Sequence, residues 1–264
     1  VSPQLWAWKR KRLRWVQQRV SRMMVIFPFE AAFYRARNVE AEFVGHPLAY
    51  LPLPASSREE YAARYNLDPS KPWIALLPGS RLKEIRNNFV GMIDMAYRFP
   101  LDCEYVVPIA STIDPQQLQD AIDGSAQMWK EEVYPRGAAP DVRFHLVPDA
   151  REALHHARAS VVASGTATVQ AAVIGNPFVV VYKVSPLTFA AAKRLIRYPV
   201  EIPAQHDAHG NLPIAMVNLI TGRRIVPELI QEQFTAANVA AALRPLLDDG
   251  PERAGIIADL AAVR

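Results

Sequence analysis

Two short stretches carry residue types suited to gripping an anion. The first runs Trp73-Ile-Ala-Leu-Leu-Pro-Gly-Ser-Arg81. Its five apolar residues, Trp73 to Leu77, read as a strand covered on both faces. Pro78 lacks an N–H and Gly79 tolerates positive φ, so the strand stops there. Leu82, Ile85, Phe89 and Met92–Ile93 recur at helical spacing, which predicts a helix from near Ser80. A helix start offers unpaired N–H groups and partial positive charge. Arg81 adds a planar guanidinium suited to phosphate. Gly79, Ser80 and Arg81 thus make a seat for a diphosphate, or else an ordinary βα turn with a surface arginine. The second stretch is Ser164-Gly165-Thr166, another helix start after a strand. It either donates to a ligand oxygen or only caps its helix. Gln170, one turn on, is either a ribose contact or a polar face residue. Asn218 and Arg223 flank a glycine turn and either bind phosphate or close a surface loop.

Other chemistries find little support. The chain has no G-x-G-x-x-G, Walker A, paired C-x-x-C or H-E-x-x-H motif. His155 and His156 are adjacent, which suits them poorly to one metal. His206-Asp207-x-His209 has ligand-like types but sits in a loop-like stretch, and an ordinary polar loop explains it as well. Cys103, the single cysteine, rules out an internal disulfide and reads as a buried structural thiol. The charge-free run Ala159 to Tyr182 is long enough for a bilayer. Ser164-Gly165-Thr166, Gln170 and Gly175-Asn176-Pro177 break it into shorter elements, so it is not read as a span.

The positioning elements alternate. Strands are expected at 73–77, 103–109, 142–147, 160–163 and 178–182, separated by helices. A capping box, Ser57-Arg-Glu-Glu60, opens the helix before the first. This rhythm with full-width apolar strands predicts an α/β fold: a Rossmann-like parallel sheet with helices on both faces. Ligands of such sheets sit beyond the carboxyl ends of the strands, where both anion-gripping turns lie. Before this block come a basic helix from Lys9 to Met23, strands at 24–27 and 42–45, and a brief helix between them. Pro47, Pro52 and Pro54 mark a linker. The expected domains are 1–50, 51–235 and a polar, Ala-rich helical tail, 236–264.

Half of the 264 residues are apolar, enough for a sizeable core, and the net charge is +4. Residues 1–22 hold seven Lys/Arg and no acid. That patch points to an anionic surface or a phosphorylated lipid; without a nucleic-acid motif, nucleic acid is not the expected partner. Lys9, Arg10 and Arg12 are candidate lipid contacts, as are Lys193, Arg194 and Arg197 on a second basic amphipathic helix, Ser185 to Tyr198. A solvated cationic face over a packed stripe accounts for the first helix equally well.

The motifs Val1-Ser-Pro-Gln-Leu-Trp-Ala-Trp8, Pro28-Phe-Glu30, Phe43-Val-Gly-His-Pro-Leu48, Leu76-Leu-Pro-Gly-Ser-Arg81 with Glu84-Ile85, Ser164-Gly-Thr-Ala-Thr168, Asn218-Leu and Gly222-Arg223 with Ile225-Val-Pro-Glu-Leu229 occur in this order. Together they resemble the lipid-A-disaccharide synthase family. The resemblance implies a GT-B fold of two Rossmann-like domains, with 1–50 a remnant of the acceptor domain and 51–235 the donor domain. It implies inverting transfer of acylated glucosamine from UDP-diacylglucosamine to acylated glucosamine 1-phosphate, on the cytoplasmic face of the inner membrane. By match, Gly79, Ser80, Arg81, Ser164, Gly165, Thr166, Asn218 and Arg223 would hold UDP, with Gln170 a further candidate at the ribose. Arg81 and Asn218 are the catalytic candidates, and Arg81 and Arg223 would stabilise the departing diphosphate. No metal or cofactor is implied, and a homodimer is one option. The family's Gly-rich loop and general base are expected before Val1, where the sequence looks cut into rather than begun. Three departures stand out: that N-terminal part is missing from the sequence, Gln170 stands where the family usually has Glu, and the Glu201–Ala215 loop is long, with Arg224 in place of a usual acid. The competing readings are another GT-B enzyme using UDP-N-acetylglucosamine, such as a peptidoglycan-type transferase or an epimerase, and a catalytically incomplete lipid-surface-binding fragment.

Overall fold

A computed structural model describes residues 2–7, 10–134 and 139–264. Along the chain, helix α1 (Leu13–Arg19) leads to strand β1 (Met23–Val25), helix α2 (Pro28–Arg35) and strand β2 (Ala41–Phe43). Helix α3 (Arg58–Tyr65) precedes β3 (Trp73–Leu77), α4 (Leu82–Arg98), β4 (Glu104–Pro108), α5 (Pro115–Met128) and β5 (Phe144–Val147). Then follow α6 (Ala150–His156), β6 (Ala159–Ala163), α7 (Thr166–Ile174), β7 (Phe178–Tyr182) and α8 (Pro186–Leu195). The chain closes with α9 (Met216–Thr221), β8 (Glu228–Ile230), α10 (Ala236–Leu247) and α11 (Pro251–Val263).

These elements form two compact units: Val1–Pro52 with Ser185–Arg224, and Leu53–Val184 with Ile225–Arg264. The break at Pro52 falls inside the expected proline linker. Two expected boundaries do not match. Residues 185–224 group with the first unit, and residues 236–264 are an integral part of the second. Val239, Ala240, Leu243 and Leu246 of α10 lie in the main core, so this segment is no polar tail.

In the second unit six strands pair in parallel in the order β5-β4-β3-β6-β7-β8. All five residues of β3 are buried, as are all five of β4 and β6. Alternation along β3 feeds both faces: Ile74 and Leu76 join Phe89 and Met92 of α4 and Leu243 of α10, while Trp73 joins Tyr61 of α3 and Ala153 of α6. The capping box at Ser57 is present: its hydroxyl accepts from Glu60 N, and Glu60 accepts from Ser57 N at 2.8 Å.

His156, at the end of α6, lies on the Tyr61 ring at 4.6 Å between centroids, and its Nε2 meets Ser56 Oγ at 3.0 Å. Burial first, then the charges of His155, Arg58 and Arg64, hold its pKa below the ordinary value of 6.5, against the attraction of Glu152. The unfolded chain therefore binds this proton more readily than the fold does. Its stabilising contribution is present above about pH 6.5 and is lost as pH falls through the lower folded value. The melting temperature is expected to drop on acidification below pH 6.5, and less so in His156→Gln. A scan of both proteins from pH 7.5 to 5 checks this; equal slopes would refute it.

In the first unit β1 and β2 pair in parallel, joined through α2. Trp6 packs edge-on against Phe29 at 5.1 Å. Glu30 is 1% exposed and accepts from Trp6 Nε1, Ile26 N and Phe27 N at 3.0, 3.2 and 3.1 Å. The Pro28-Phe-Glu30 motif is thus structural: its acid is committed to three donors. The expected helix from Lys9 to Met23 is shorter. After a 3-10 turn at Arg10–Arg12, α1 ends at Arg19, because Val20 is extended and Met23 N bonds Glu40 O at 2.8 Å to begin the sheet.

Candidate functional site

The sheet order sets the site. From β3 the chain moves outward through β4 and β5, then returns to the other side of β3 for β6, β7 and β8. β3 and β6 therefore flank the topological switch point, where open α/β sheets leave a crevice. Leu77 pairs with Val162, so the two expected turns, Pro78–Arg81 and Ser164–Thr166, emerge side by side. Neighbouring strands lie ~5 Å apart.

At the first corner Gly79 has φ +123°, a conformation that side-chain-bearing residues rarely adopt. Thr112 Oγ1 donates to Ser80 O at 2.7 Å. Buried Asn88 donates to Pro78 O at 3.2 Å and accepts from Lys183 N at 3.2 Å, tying the end of β3 to that of β7. The helix begins at Leu82 rather than near Ser80, with extended Arg81 in the N-cap position. Arg81 is 79% exposed; its Nη1 bonds Glu84 Oε1 at 2.7 Å, and the same carboxylate's Oε2 accepts from Ser80 N at 3.1 Å.

At the second corner Gly165, with φ +155°, is the N-cap residue of α7, so no side chain caps this helix. A Cβ there would meet nothing within 4 Å, so the first turn of α7 faces open space. Gly165 and Thr166 are exposed, while Ser164 and Gln170 are partly buried. Ser164 N bonds Val181 O at 3.1 Å, and Thr168 Oγ1 donates to Gly165 O at 2.8 Å. Two helix N-termini and one guanidinium thus converge on one edge of the sheet, a field that attracts and orients an anion.

Asn218 and Arg223 lie together in the first unit. Asn218 is not at the glycine turn but one turn earlier on α9, and is 1% exposed. Gly222 ends α9 with φ +68°, and a Cβ there would sit 2.7 Å from Pro203 Cγ. Asn218, Gly222, Arg223 and Arg224 line a concavity of about 350 Å³ with His206 and Asp207. The long loop is folded back on itself: Asp207 accepts from His209 N and Asn211 N at 2.9 and 2.7 Å. Partial burial alone would raise the Asp207 pKa, but these donors and the Arg224 charge hold it below the ordinary carboxylate value. Arg224 Nη2 donates to Asn211 O at 2.8 Å. Arg224 thus anchors the 201–215 loop through one of its carbonyls. His206-Asp207-x-His209 builds a turn, and among the described residues no group of three metal-ligating side chains occurs.

The basic residues also sit in the first unit. Arg10, Arg12, Lys193, Arg194 and Arg197 are exposed; Lys9 lies outside the described residues. The Arg10 guanidinium donates to Arg197 O, which brings the N-terminal basic segment to the end of α8. No side chain of α8 is buried, and Leu187 is 85% exposed. Trp15, Leu195 and Val200 are exposed as well. No helix among the described residues is long and apolar enough to cross a membrane.

Reasoning from sequence missed four groups that shape the corners: Glu84, Asn88, Thr112 and Gln231. Asn88 carried a signal, a polar residue on the apolar stripe of α4. Gln231 has φ +54° and exchanges two hydrogen bonds with Val184 at the end of β7, 2.7 and 3.0 Å, which no local pattern announces.

The lipid-A-disaccharide synthetase family model matches residues 1–256. The lipid-A-disaccharide synthase of Acidobacterium capsulatum is 50% identical and that of Koribacter versatilis 47%; each alignment covers all of this chain and 62% of the relative. The chain thus spans about 62% of the length of these relatives. Among solved structures, Anabaena Alr3699/HepE in complex with UDP-glucose superposes with TM-score 0.51 at 11% identity, over 96% of this chain and 61% of that one. That likeness is one of fold, and it agrees with the α/β, GT-B type architecture expected from the sequence. By its motifs, its parallel sheet and these relatives, the chain belongs to the lipid-A-disaccharide synthase family.

Proposed function

We propose that this chain carries the sugar-nucleotide site of an inverting glycosyltransferase of lipid A biosynthesis. The donor is a UDP-linked acylated glucosamine and the acceptor an acylated glucosamine 1-phosphate. The observation that carries the reading is the pair of corners at the switch point, Gly79–Arg81 and Ser164–Thr166. The relatives' name supports the reaction class, and the UDP-glucose bound to Alr3699/HepE supports the nucleotide.

In this reading the acceptor hydroxyl attacks the anomeric carbon as the bond to the diphosphate oxygen breaks on the opposite face. Positive charge grows on the sugar ring and negative charge on the departing UDP. Arg81 and the N–H groups opening α4 and α7 are aimed at that negative charge. Gly79, Ser80, Ser164, Gly165 and Thr166 seat the diphosphate, and Gln170 bonds a ribose hydroxyl without adding charge. Asn218 and Arg223 give further polar contacts to the nucleotide, with Arg223 the second cation for the leaving group. The enzyme works peripherally on the cytoplasmic face of the inner membrane, its exposed apolar and basic residues, Leu187, Lys193, Arg194, Arg197, Arg10 and Arg12, set against phosphorylated lipid.

Calorimetric titration of the 264-residue chain with UDP and with ADP tests this. UDP is expected to bind in the micromolar range, at least tenfold tighter than ADP. Equal affinity for the two, or no heat with either, would sink the sugar-nucleotide reading.

A further inference from the structure

The first corner already holds an anion, and it is the protein's own. An acid three residues into a helix ordinarily reaches back to the N-cap N–H. Glu84 reaches one residue farther. Its Oε2 accepts from Ser80 N at 3.1 Å, beyond the N-cap, while Oε1 pairs with Arg81 at 2.7 Å. The hollow at Gly79 makes this possible: a Cβ there would stand 2.7 Å from Oε2 and 2.7 Å from Glu84 Cβ. A carboxylate oxygen therefore rests on a glycine hollow, a backbone N–H and a guanidinium. Those are the three features with which such a corner would hold a phosphate oxygen.

We propose that Glu84 is a built-in competitor for this corner: its carboxylate occupies the seat of one phosphate oxygen and must swing away when a diphosphate arrives. The inference rests on the UDP-sugar reading above and assigns this residue a role in it. Two like charges cannot share one N–H and one guanidinium, so the ligand and Glu84 exclude each other. The occupant is easily dislodged. Arg81 is 79% exposed and Glu84 34%, and pairs that open to water are weakly held. The corner's backbone need not move, because Thr112 and Asn88 hold Ser80 O and Pro78 O independently of Glu84. Half-buried Tyr182 lies in the carboxylate's field: burial first, then the Glu84 charge, raise its phenol pKa. A ligand with less charge on its phosphates displaces the carboxylate less well, so the device favours a diphosphate over a monophosphate.

The sign of the prediction is opposite to that for an ordinary binding residue. Glu84→Gln is expected to tighten UDP binding about fivefold, which is ~1 kcal/mol. The gain should vanish when the same change is made on an Arg81→Ala background, because the freed guanidinium is its source. Glu84→Asp, one methylene too short to reach Ser80 N, should also tighten binding, and it serves if the Gln variant melts below the wild type. Titration with UDP, UMP and inorganic pyrophosphate reads all of this. Folded variants that bind UDP and pyrophosphate no better than wild type would overturn the proposal and make Glu84 a partner that positions Arg81. If wild type binds pyrophosphate but not UDP, the nucleotide reading fails while the pyrophosphate series still judges Glu84.

Discussion

Arg81→Ala is expected to weaken UDP binding by between ten- and a hundredfold, with the melting temperature unchanged. Hydrogen bonds to charged groups are worth ~1.5–3 kcal/mol, and each 1.4 kcal/mol is about tenfold in affinity. The side chain can be lost cheaply from the fold: it is 79% exposed, and its pair with Glu84 lies open to water. Its value lies in where it stands, as the extended residue that opens α4, beside a glycine corner and one strand from the N-terminus of α7. Arg81→Lys keeps the charge without the planar fork and should fall between the two. Arg86→Ala is the control, since it removes an equal charge from the exposed face of the same helix and should change affinity less than twofold. If Arg81→Ala and Arg86→Ala behave alike, only general electrostatic attraction is at work and the corner is not the seat.

The first corner is legible in the sequence because each of its parts is local. Trp73–Leu77 is a five-residue apolar run with a proline and a glycine after it, and the helix behind shows its stripe within one turn. The Ser57 capping box was equally local. What escaped depends on pairing across long separations. That both corners lie at strand carboxyl ends and could face one ligand is expected from the sequence; that β6 pairs directly with β3 follows from a strand order that no stretch of sequence encodes. Glu84 stands in the first-corner motif, but the sequence assigns it no role, because its partner atoms include a backbone N–H and a glycine hollow that exist only once the turn has formed. The 236–264 segment is Ala-rich and bears polar residues on its exposed side, which hides the core-facing Val239, Leu243 and Leu246 of α10. The Lys9–Met23 stripe has the spacing of one helix, although Met23 aligns with Ala41 in a strand pair. Amphipathic spacing there was shared between a short helix and the strand that follows.

Trp73→Ala is expected to lower the melting temperature by about 10 °C yet leave UDP affinity within about twofold, from a loss of ~3–5 kcal/mol on truncating a buried aromatic in a unit of this size. The indole is fully buried. Its Nε1 donates to Asp68 O at 2.9 Å, the Arg58 guanidinium lies 3.6 Å from its ring centroid, and the Tyr61 ring packs at 5.9 Å. Removing it opens a cavity between β3 and α3 and takes one hydrogen bond from Asp68 O and the ring from the Arg58 guanidinium, although Asp68 O keeps Lys71 N at 3.2 Å and Arg58 keeps Lys71 O at 2.6 Å. Yet Trp73 begins β3 while the corner follows Leu77, four residues on, a distance of ~13 Å at strand rise. Trp73→Phe keeps most of the apolar area and should cost ~1–2 kcal/mol, the share of the lost hydrogen bond and stacking. Calorimetry for the melt, and a UDP titration well below it, check both halves of this claim. A drop of less than about 3 °C would mean that the amino end of the strand is not a stability anchor. A tenfold loss of UDP affinity in the folded variant would mean that the strand transmits packing to its far end. The expected outcome separates the two ends of one strand: its start holds the sheet to α3, and its finish grips the ligand.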